Sequence, residues 1–366
     1  MKGMIKTMKL KLKENCKYGI AVPTSIGVRI TPPNGAPVHT SNSYHMQATS
    51  GESNAVNISS SLGRKGLVLT NFVQDSPISY FIKSELRRRN MDYAGPDIPQ
   101  GGPWGYRHQF NIADSGYGSR GPRVHNDRAG EVGLILNAKD FDFEKIFGED
   151  GVQILHLSGI VGALSIETTR FCLDAIKAAK KHGTLISFDL NHRATFWKGR
   201  EDELRRSFTE MVSLTDILIG NEEDYQLCLG IEGPREGGTD LTAQVAGFKE
   251  MVGRIKDKFP NAGVFGNTLR QVISVGEHLW GAITLFGDTW TQIEPRSIHV
   301  LDRIGGGDGF AGGLLYGILT GMEPEKATQF AWATGALATT VLEDYATPID
   351  EDMVWSIYKG NARVKR

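Results

Sequence analysis

Short apolar segments alternate with helical patterns through the second half of this 366-residue chain. The predicted elements are a strand at 152–157, a helix at 165–182, a strand at 184–190, a helix at 201–213, a strand at 216–219 and a helix opening at Asn221. Such alternation is typical of a mostly parallel sheet whose connecting helices cover both faces. We therefore predict an α/β fold with a ligand site beyond the carboxyl ends of the strands. Asn191, Arg193 and Asn221 directly follow predicted strands, which places them at that edge.

The first 130 residues follow a different pattern. Prolines interrupt the apolar segments between residues 22 and 48, and residues 101–128 are rich in glycine and aromatic side chains with little helical periodicity. Structureless loops of this length are uncommon unless they are functional. We therefore predict that these two segments form strands of a small accessory sheet, with a pair of long surface loops as the alternative.

Composition limits the classes of partner and compartment. The net charge of −1 gives no support to a nucleic-acid or membrane partner. The chain has no run of about 18 apolar residues, and its three cysteines are far apart, as in proteins of a reducing cytosol. We therefore predict a cytoplasmic protein.

Six lysines lie within the first 17 residues, without the apolar region of a secretory signal. We interpret residues 1–15 as a solvated basic tail and residues 16–366 as a single domain. A basic docking arm is the alternative interpretation of the tail.

Three consecutive glycines, Gly305, Gly306 and Gly307, lead into Asp308 and then into an apolar helical segment. Glycines let backbone amides approach a ligand, and a helix start adds free N–H groups and partial positive charge. This combination predicts an anion hole. An aspartate there repels a resting phosphate, but it suits a general base that takes a proton from an attacking hydroxyl. The stretch therefore indicates phosphoryl transfer to an alcohol, and the alternative is a glycine-rich turn with Asp308 as a helix cap.

Several segments resemble motifs of one enzyme family. Residues 302–311 resemble the Asp-Thr-x-Gly-Ala-Gly-Asp signature of the ribokinase (PfkB) family of carbohydrate kinases, in a form most similar to the 2-keto-3-deoxygluconate kinases. Residues 189–197 resemble that subgroup's Asp-Leu-Asn-Tyr-Arg…Leu-Trp motif, and residues 220–224 resemble the family's Asn-x-x-Glu motif. Residues 127–130, 268–270 and 362–366 fit in the same order.

The resemblance implies a ribokinase-like fold, with a mostly parallel central sheet flanked by helices on both faces and a β-sheet lid at about residues 22–48 and 101–128. It implies ATP and Mg²⁺ as cofactors and a homodimer formed through the lid. Asp308 would be the general base, and Gly305, Gly306 and Gly307 the anion hole. The implied substrate-binding residues are Arg193, Arg128, Gly51, Asn57 and Asn126. The implied nucleotide-binding residues are Asn221, Asp224, Thr268, Arg270 and Asp302, and the implied water-mediated Mg²⁺ ligands are Asn221, Glu223 and Asp224.

Arg193 and Arg128 favour a sugar acid as the acceptor, because arginine pairs bidentately with carboxylates. The sugar-binding part nevertheless departs from the family pattern. Glu52 stands where the family has a second glycine beside Gly51, and Asn126 replaces a tyrosine. We therefore keep three hypotheses: a kinase that forms the 6-phosphate of 2-keto-3-deoxygluconate, a kinase of another ketose or sugar such as fructose, and a non-catalytic sugar-binding protein on the same fold.

Overall fold

The computed structural model describes residues 10–234 and 241–360, which form a large β-sheet, a small β-sheet and one further pair of short strands. The strands are β1 Tyr18–Pro23, β2 Gly27–Thr31, β3 His45–Thr49, β4 Gly66–Leu69, β5 Phe72–Val73, β6 Met91–Ala94, β7 Asp97–Ile98, β8 Phe110–Asp114, β9 Arg123–Asp127, β10 Val152–Ser158, β11 Leu185–Asp189, β12 Ile217–Ile219, β13 Val264–Ser274, β14 Glu277–Phe286 and β15 Thr289–His299. The α-helices are α1 Gly51–Ser61, α2 Pro77–Arg88, α3 Gly159–Leu164, α4 Ile166–Lys181, α5 Ala194–Trp197, α6 Glu201–Ser213, α7 Glu222–Leu229, α8 Leu241–Lys258, α9 Gly306–Leu319, α10 Pro324–Ala338 and α11 Glu351–Tyr358.

The large sheet has the strand order β15-β14-β13-β12-β11-β10-β1-β4-β6. From β13 to β6 the neighbouring strands are parallel, whereas β14 and β15 add an antiparallel edge. The strands and helices predicted between residues 152 and 229 all form. The predicted α/β class with a mostly parallel sheet is therefore confirmed.

The small sheet has the strand order β3-β2-β8-β9. Strands β2 and β8 are parallel, and β3 and β9 run antiparallel to their neighbours. These strands lie within the two segments predicted as accessory strands, so the alternative of two long surface loops is wrong. Strand β1, which includes Val22, belongs to the large sheet, and the small sheet therefore begins at Gly27.

Helices cover both faces of the large sheet with apolar stripes. Helix α4 buries Phe171, Ala175 and Ala179, which are four residues apart and so share one side of the helix. Ser165 caps its start, and Gly183, with φ 76°, follows its end. The opposite face packs against α1, α9 and α10. The two apolar layers leave the carboxyl ends of the strands free to carry polar residues.

Helices α1 and α9 approach each other closely at Gly312. A Cβ atom at this position would lie 2.3 Å from the backbone oxygen of Ala55 and 3.0 Å from Cγ1 of Ile58. A backbone oxygen cannot turn away as the end of a side chain can, so the absence of a side chain sets the distance between the helices. This contact brings the first turn of α1 beside the first turn of α9.

Residues 10–15, predicted as part of a solvated tail, contact the rest of the protein. Leu10 and Leu12 pack against the core, and Lys13 Nζ donates to the backbone oxygen of Phe147 at 2.5 Å. Residues 1–9 of the predicted tail and the family-like segment 362–366 lie outside the described residues. Within the described part of the chain, no helix has the length and apolar character that a membrane span requires.

We expect Gly312→Ala to destabilise the protein by about 1–3 kcal/mol, because the added methyl group forces α9 away from α1. The matched control is Gly253→Ala in α8, where no neighbouring atom of the described structure lies within 4 Å of the Cβ position. The control should increase stability by up to about 1 kcal/mol through helix propensity. Urea unfolding of both variants checks this, and equal effects would contradict close packing at Gly312.

Candidate active site

A cavity of about 1170 Å³ lies between the small sheet and the carboxyl ends of strands in the large sheet. The small sheet contributes Asn111 from β8 and Asn126 from β9. The large sheet contributes Asp189 at the end of β11, and the start of α9 contributes Asp308. The cavity therefore occupies the sheet edge at which the sequence predicts a ligand site.

The turn before α9 requires glycine at position 305. Gly305 has φ 85°, and a Cβ there would lie 2.0 Å from the backbone oxygen of Asp344. The first amides of α9, at residues 306–308, have no acceptor within the helix. Gly307 lines the cavity, and among the described residues no atom beyond its own helix lies within 4 Å of its Cβ position. The turn thus presents N–H groups and the positive end of a helix to the cavity, an arrangement that binds anions.

Asp308 faces the cavity from the first turn of α9. Desolvation raises the pKa of its carboxyl group to about 7; Asn54, whose Nδ2 donates to Oδ2 at 3.0 Å, lowers it, and the charges of Asp344 and Glu52 raise it. The positive charge of Arg193 also lowers this pKa. A carboxyl group that titrates near neutral pH can take up and release a proton under ordinary conditions.

Two loops at the ends of β11 and β12 are joined by one carboxylate. Asp224 accepts from the backbone amide of His192 and from that of Asn221, each at 2.9 Å. The side chain of Asn221 in turn accepts from the amide of Asp224 at 2.7 Å, which completes a capping box at the start of α7. Burial raises the pKa of Asp224. Asn221 and Asp224 therefore fix the loop geometry while also lining the cavity.

Asp189 and Asn191 form the centre of the same edge. Desolvation, and then the charges of Asp224 and Asp308, raise the pKa of Asp189 well above its usual range. Asn191 adopts a positive φ of 35°, and its amide donates to Oδ1 of Asp189 at 3.2 Å. This turn orients the loop that continues into Arg193.

Most of the residues predicted for the site meet in this one cavity. Its wall includes Asp308, Gly305, Gly307, Gly51, Arg193, Arg128, Asn126, Asn221, Asp224, Thr268 and Arg270. Gly51 is the first residue of α1, and a Cβ there would lie 3.5 Å from Oδ1 of Asp308. Segments far apart in sequence therefore converge where the sequence analysis expects them.

Four of the predicted residues lie outside the wall: Gly306, Asn57, Asp302 and Glu223. Asn57 is buried within α1, where Nδ2 donates to the backbone oxygen of Ala346 at 2.8 Å and Oδ1 accepts from Arg89 Nε at 2.8 Å. Its side chain thus supports the fold, and we do not retain Asn57 as a substrate-binding residue.

The other three residues outside the wall differ in surroundings. Gly306 is buried, and its contribution is limited to its backbone amide. Asp302 is also buried, with Arg29 and Ser115 donating to its carboxylate, so it does not reach a nucleotide. Glu223 is exposed and lies outside the cavity wall, so its water-mediated role toward Mg²⁺ stays a prediction.

Charged side chains of both signs line the cavity near the small sheet. Arg128 Nη1 donates to the buried carboxylate of Glu131 at 2.6 Å. Arg193 Nη1 donates to the backbone oxygen of His192 at 2.8 Å. Glu52 is buried in the same wall, and burial raises its pKa, which favours the neutral form. The positive charge of Arg128 is thus balanced within the protein, whereas Arg193 donates to an uncharged group.

The opposite end of the cavity is formed largely by β13, β14 and β15. Leu269, Val272, Leu279 and Pro295 line this part together with Thr268. Ligand pockets commonly combine such apolar surface with a few polar groups. This end therefore suits the flat ring of a nucleotide base.

Sequence reasoning missed several residues of the wall, among them Arg29, Asn54, Gln109, Asn111 and Asp344. Gln109 is buried, and within the described residues neither atom of its side-chain amide has a hydrogen-bond partner. Asn54 lies one helical turn after Gly51, which is a signal that sequence reasoning could have used. The other positions depend on pairing between distant strands.

Comparison with known proteins gives a consistent family. The model of the pfkB family carbohydrate kinases matches residues 136–351. The 2-dehydro-3-deoxygalactonokinase of Haloferax volcanii is 25% identical over 342 residues, which cover 93% of this chain and 96% of that protein. The 5-dehydro-2-deoxygluconokinase of Clostridium perfringens is 30% identical over 210 residues, which cover 57% of this chain and 55% of that protein. The match thus spans about half the length of the clostridial relative.

The crystal structure of 2-dehydro-3-deoxygluconokinase from Thermotoga maritima superimposes with a TM-score of 0.83 at 26% identity, covering 94% of this chain and 98% of that chain. The architecture is therefore ribokinase-like, as the sequence resemblance implies. The matched family model also spans more than half of the chain. This protein accordingly belongs to the PfkB family of carbohydrate kinases and is an ATP-dependent phosphotransferase that acts on a sugar.

Proposed function

We propose that the protein transfers the γ-phosphoryl group of ATP to a hydroxyl group of a sugar acid, with 2-keto-3-deoxygluconate and its 6-phosphate as the leading pair. The observation that carries the proposal is Asp308, a carboxyl group with a pKa of about 7 in the first turn of α9, whose first amides have no acceptor within the helix. The relatives compared above are named for kinases of keto-deoxy sugar acids, which supports the acceptor class.

In the proposed reaction, Asp308 accepts the proton of the acceptor hydroxyl as its oxygen attacks the γ-phosphorus. A new bond forms between this oxygen and phosphorus, and the bond to the bridging oxygen of ADP breaks. The amides at residues 305–308 hold the negative charge that spreads over the transferring group. Phosphoryl transfer requires mainly positioning and charge stabilisation, which a rigid turn at a helix start provides.

We propose that Asn221 and Asp224 hold Mg²⁺ through water at the phosphate end. In the described residues, no group of three or more His, Cys, Asp or Glu side chains could hold a metal ion alone. That observation fits Mg²⁺, which keeps several waters and is bound by one or two carboxylates and substrate phosphates. When bound, the ion would neutralise phosphate charge. Thr268 and Arg270 are the proposed nucleotide-binding residues on β13.

At the end of the cavity near the small sheet, where the acceptor sugar would bind, Arg193 is the proposed partner of a substrate carboxylate. Arg193 lines the same cavity as Asp308, and its positive charge lowers the pKa of the Asp308 carboxyl group. Arg128 is already paired with Glu131, and its role is more limited. The amides of Gln109 and Asn126 face the same space and can bond sugar hydroxyls.

A second candidate is a kinase of a neutral ketose such as fructose. Two observations favour it: Glu131 balances the charge of Arg128, and Glu52 adds a further carboxyl group to the wall. Burial raises the pKa of Glu52, which favours its neutral form and so weakens the argument from Glu52 against a sugar acid.

We expect Asp308→Asn to lower kcat by about 10²–10⁴-fold with little change in KM for ATP, because an amide cannot accept the proton. In the wild type, kcat/KM should fall as the pH drops below about 7, since protonated Asp308 is inactive as a base. The control is Asp288→Asn, at a side chain that is 95% exposed. An unchanged rate in Asp308→Asn, measured by coupled ADP release, would refute its role as the base.

The acceptor is tested by MgATP-dependent ADP release with 2-keto-3-deoxygluconate, its galactonate epimer, 5-keto-2-deoxygluconate, gluconate, fructose and ribose. We expect the highest kcat/KM with a keto-deoxy acid, because Arg193 can pair with its carboxylate. Equal or higher kcat/KM with fructose would replace the sugar acid by the neutral ketose. No turnover with any of these compounds would refute both candidates.

We expect Arg193→Gln to raise KM for the acid about tenfold to hundredfold, the effect of losing one charged hydrogen bond. Arg206→Gln, at an exposed position on α6, serves as the control. Steady-state kinetics of the two variants give the comparison. A KM that stays within twofold of the wild-type value in Arg193→Gln would exclude Arg193 as the carboxylate partner.

The homodimer through the small sheet, which the family resemblance implies, stays a prediction.

A further inference from the structure

A buried arginine joins the small sheet to the loop before α9. Arg29 lies on β2 and is 1% exposed, and its guanidinium group donates to the carboxylates of Asp302 and Asp344. Asp302 precedes the glycine turn, and the backbone oxygen of Asp344 packs against Gly305. One positive charge therefore stands between two buried negative charges that flank the anion hole.

Two further strands of the small sheet reach the same aspartates. Ser115, just after β8, donates to Asp302 at 2.6 Å. Thr49, at the end of β3, donates to Asp344 at 2.6 Å. The carboxylate of Asp302 also accepts from the backbone amide of Ile304 at 3.0 Å, which fixes the start of the turn. Side chains from three parts of the small sheet thus hold both aspartates in place.

A chain of hydrogen bonds continues from this cluster to Asp308. The hydroxyl of Thr49 donates to Asp344 and accepts from Asn54 Nδ2 at 3.2 Å. The same Nδ2 group donates to Asp308 Oδ2 at 3.0 Å. The order from the small sheet to Asp308 is therefore Arg29, Asp344, Thr49, Asn54 and Asp308.

We propose that Arg29 is a positioning residue for phosphoryl transfer, which compensates Asp302 and Asp344 and couples the small sheet to the anion hole and to Asp308. This inference rests on the proposed roles of Asp308 and the glycine turn. Arg29 itself does not take part in a chemical step. Its removal leaves two buried aspartates without their cation and frees the turn from the small sheet.

The charge of Arg29 also affects proton transfer. In the described structure the charged or titratable groups that interact electrostatically with Asp308 include Asp344, Glu52, Asp189 and Arg193. Asp344 raises the pKa of Asp308, and Arg29 offsets the charge of Asp344. Loss of Arg29 therefore moves the acidic limb of the pH profile to higher pH. Loss of the charge at Asp344 moves the limb to lower pH.

The test compares Arg29→Met, Arg29→Lys, and the double variant Arg29→Met with Asp344→Asn. Arg123→Met is the matched control, because Arg123 is an exposed arginine on β9 of the same small sheet. The measurements are kcat, both KM values and the pH dependence of kcat/KM, each per folded protein as judged by circular dichroism. Wild-type turnover is measured first, and its absence would overturn the proposed function and this inference with it.

We expect kcat to fall about 100-fold in Arg29→Met, as for a misplaced catalytic group, with smaller changes in KM. The acidic limb should shift upward in Arg29→Met but stay in place in Arg29→Lys, which retains the charge and part of kcat. The double variant should fold even if Arg29→Met does not, since it removes one charge of each sign. Its kcat should stay low, while its acidic limb should lie at or below the wild-type position.

A structural role alone gives a different pattern. Folded Arg29→Met, or the double variant if the single variant is unfolded, would then retain kcat within about threefold of the wild type, with an unmoved acidic limb. A kcat within about threefold of the wild type, or an acidic limb that does not move, overturns the proposal. Arg123→Met should match the wild type in every measurement, and a fall in kcat there would also overturn it, because the effect would not depend on the buried cluster.

Discussion

The site depends on the close packing of α1 against α9 at Gly312. This contact brings two helix starts together, so that Gly51 and Asn54 of one helix adjoin Asp308 of the other. It also holds Asp308 in a desolvated position, which is the main cause of its raised pKa. A residue with a side chain at position 312 would separate the helices and weaken both effects.

Charge balance explains why the cavity can hold so many ionisable groups. Each buried carboxylate is either paired with an arginine, bonded to backbone amides or shifted toward its neutral form. Arg29 compensates Asp302 and Asp344, while Asp224 accepts two amide hydrogen bonds. Unpaired buried charge is costly, so this arrangement is a requirement for folding as well as for chemistry. Side chains of the wall that lack a charged partner, such as Arg193, or any hydrogen-bond partner among the described residues, such as Gln109, are the ones suited to bind a ligand.

The sequence predicted the α/β class and singled out the residues proposed for phosphoryl transfer because both signals are local. Alternating apolar segments specify the parallel sheet, and the anion hole and general base that we propose lie together within the four residues 305–308. The residues at the sugar-binding end of the cavity were harder to predict, because strands from distant parts of the chain combine there. Arg29 gives no local signal, since its partners are 273 and 315 residues away. Asn57 was misplaced because its helix presents Asn54, one turn earlier, to the cavity.

The most direct test of the account is a crystal structure with a non-hydrolysable ATP analogue, Mg²⁺ and 2-keto-3-deoxygluconate. We expect the terminal phosphate at the amides of residues 305–308 and one sugar hydroxyl within hydrogen-bond reach of Asp308, about 2.6–3.2 Å. We also expect the substrate carboxylate at Arg193. A sugar bound with no hydroxyl near Asp308, or a phosphate bound away from the glycine turn, would contradict this expectation.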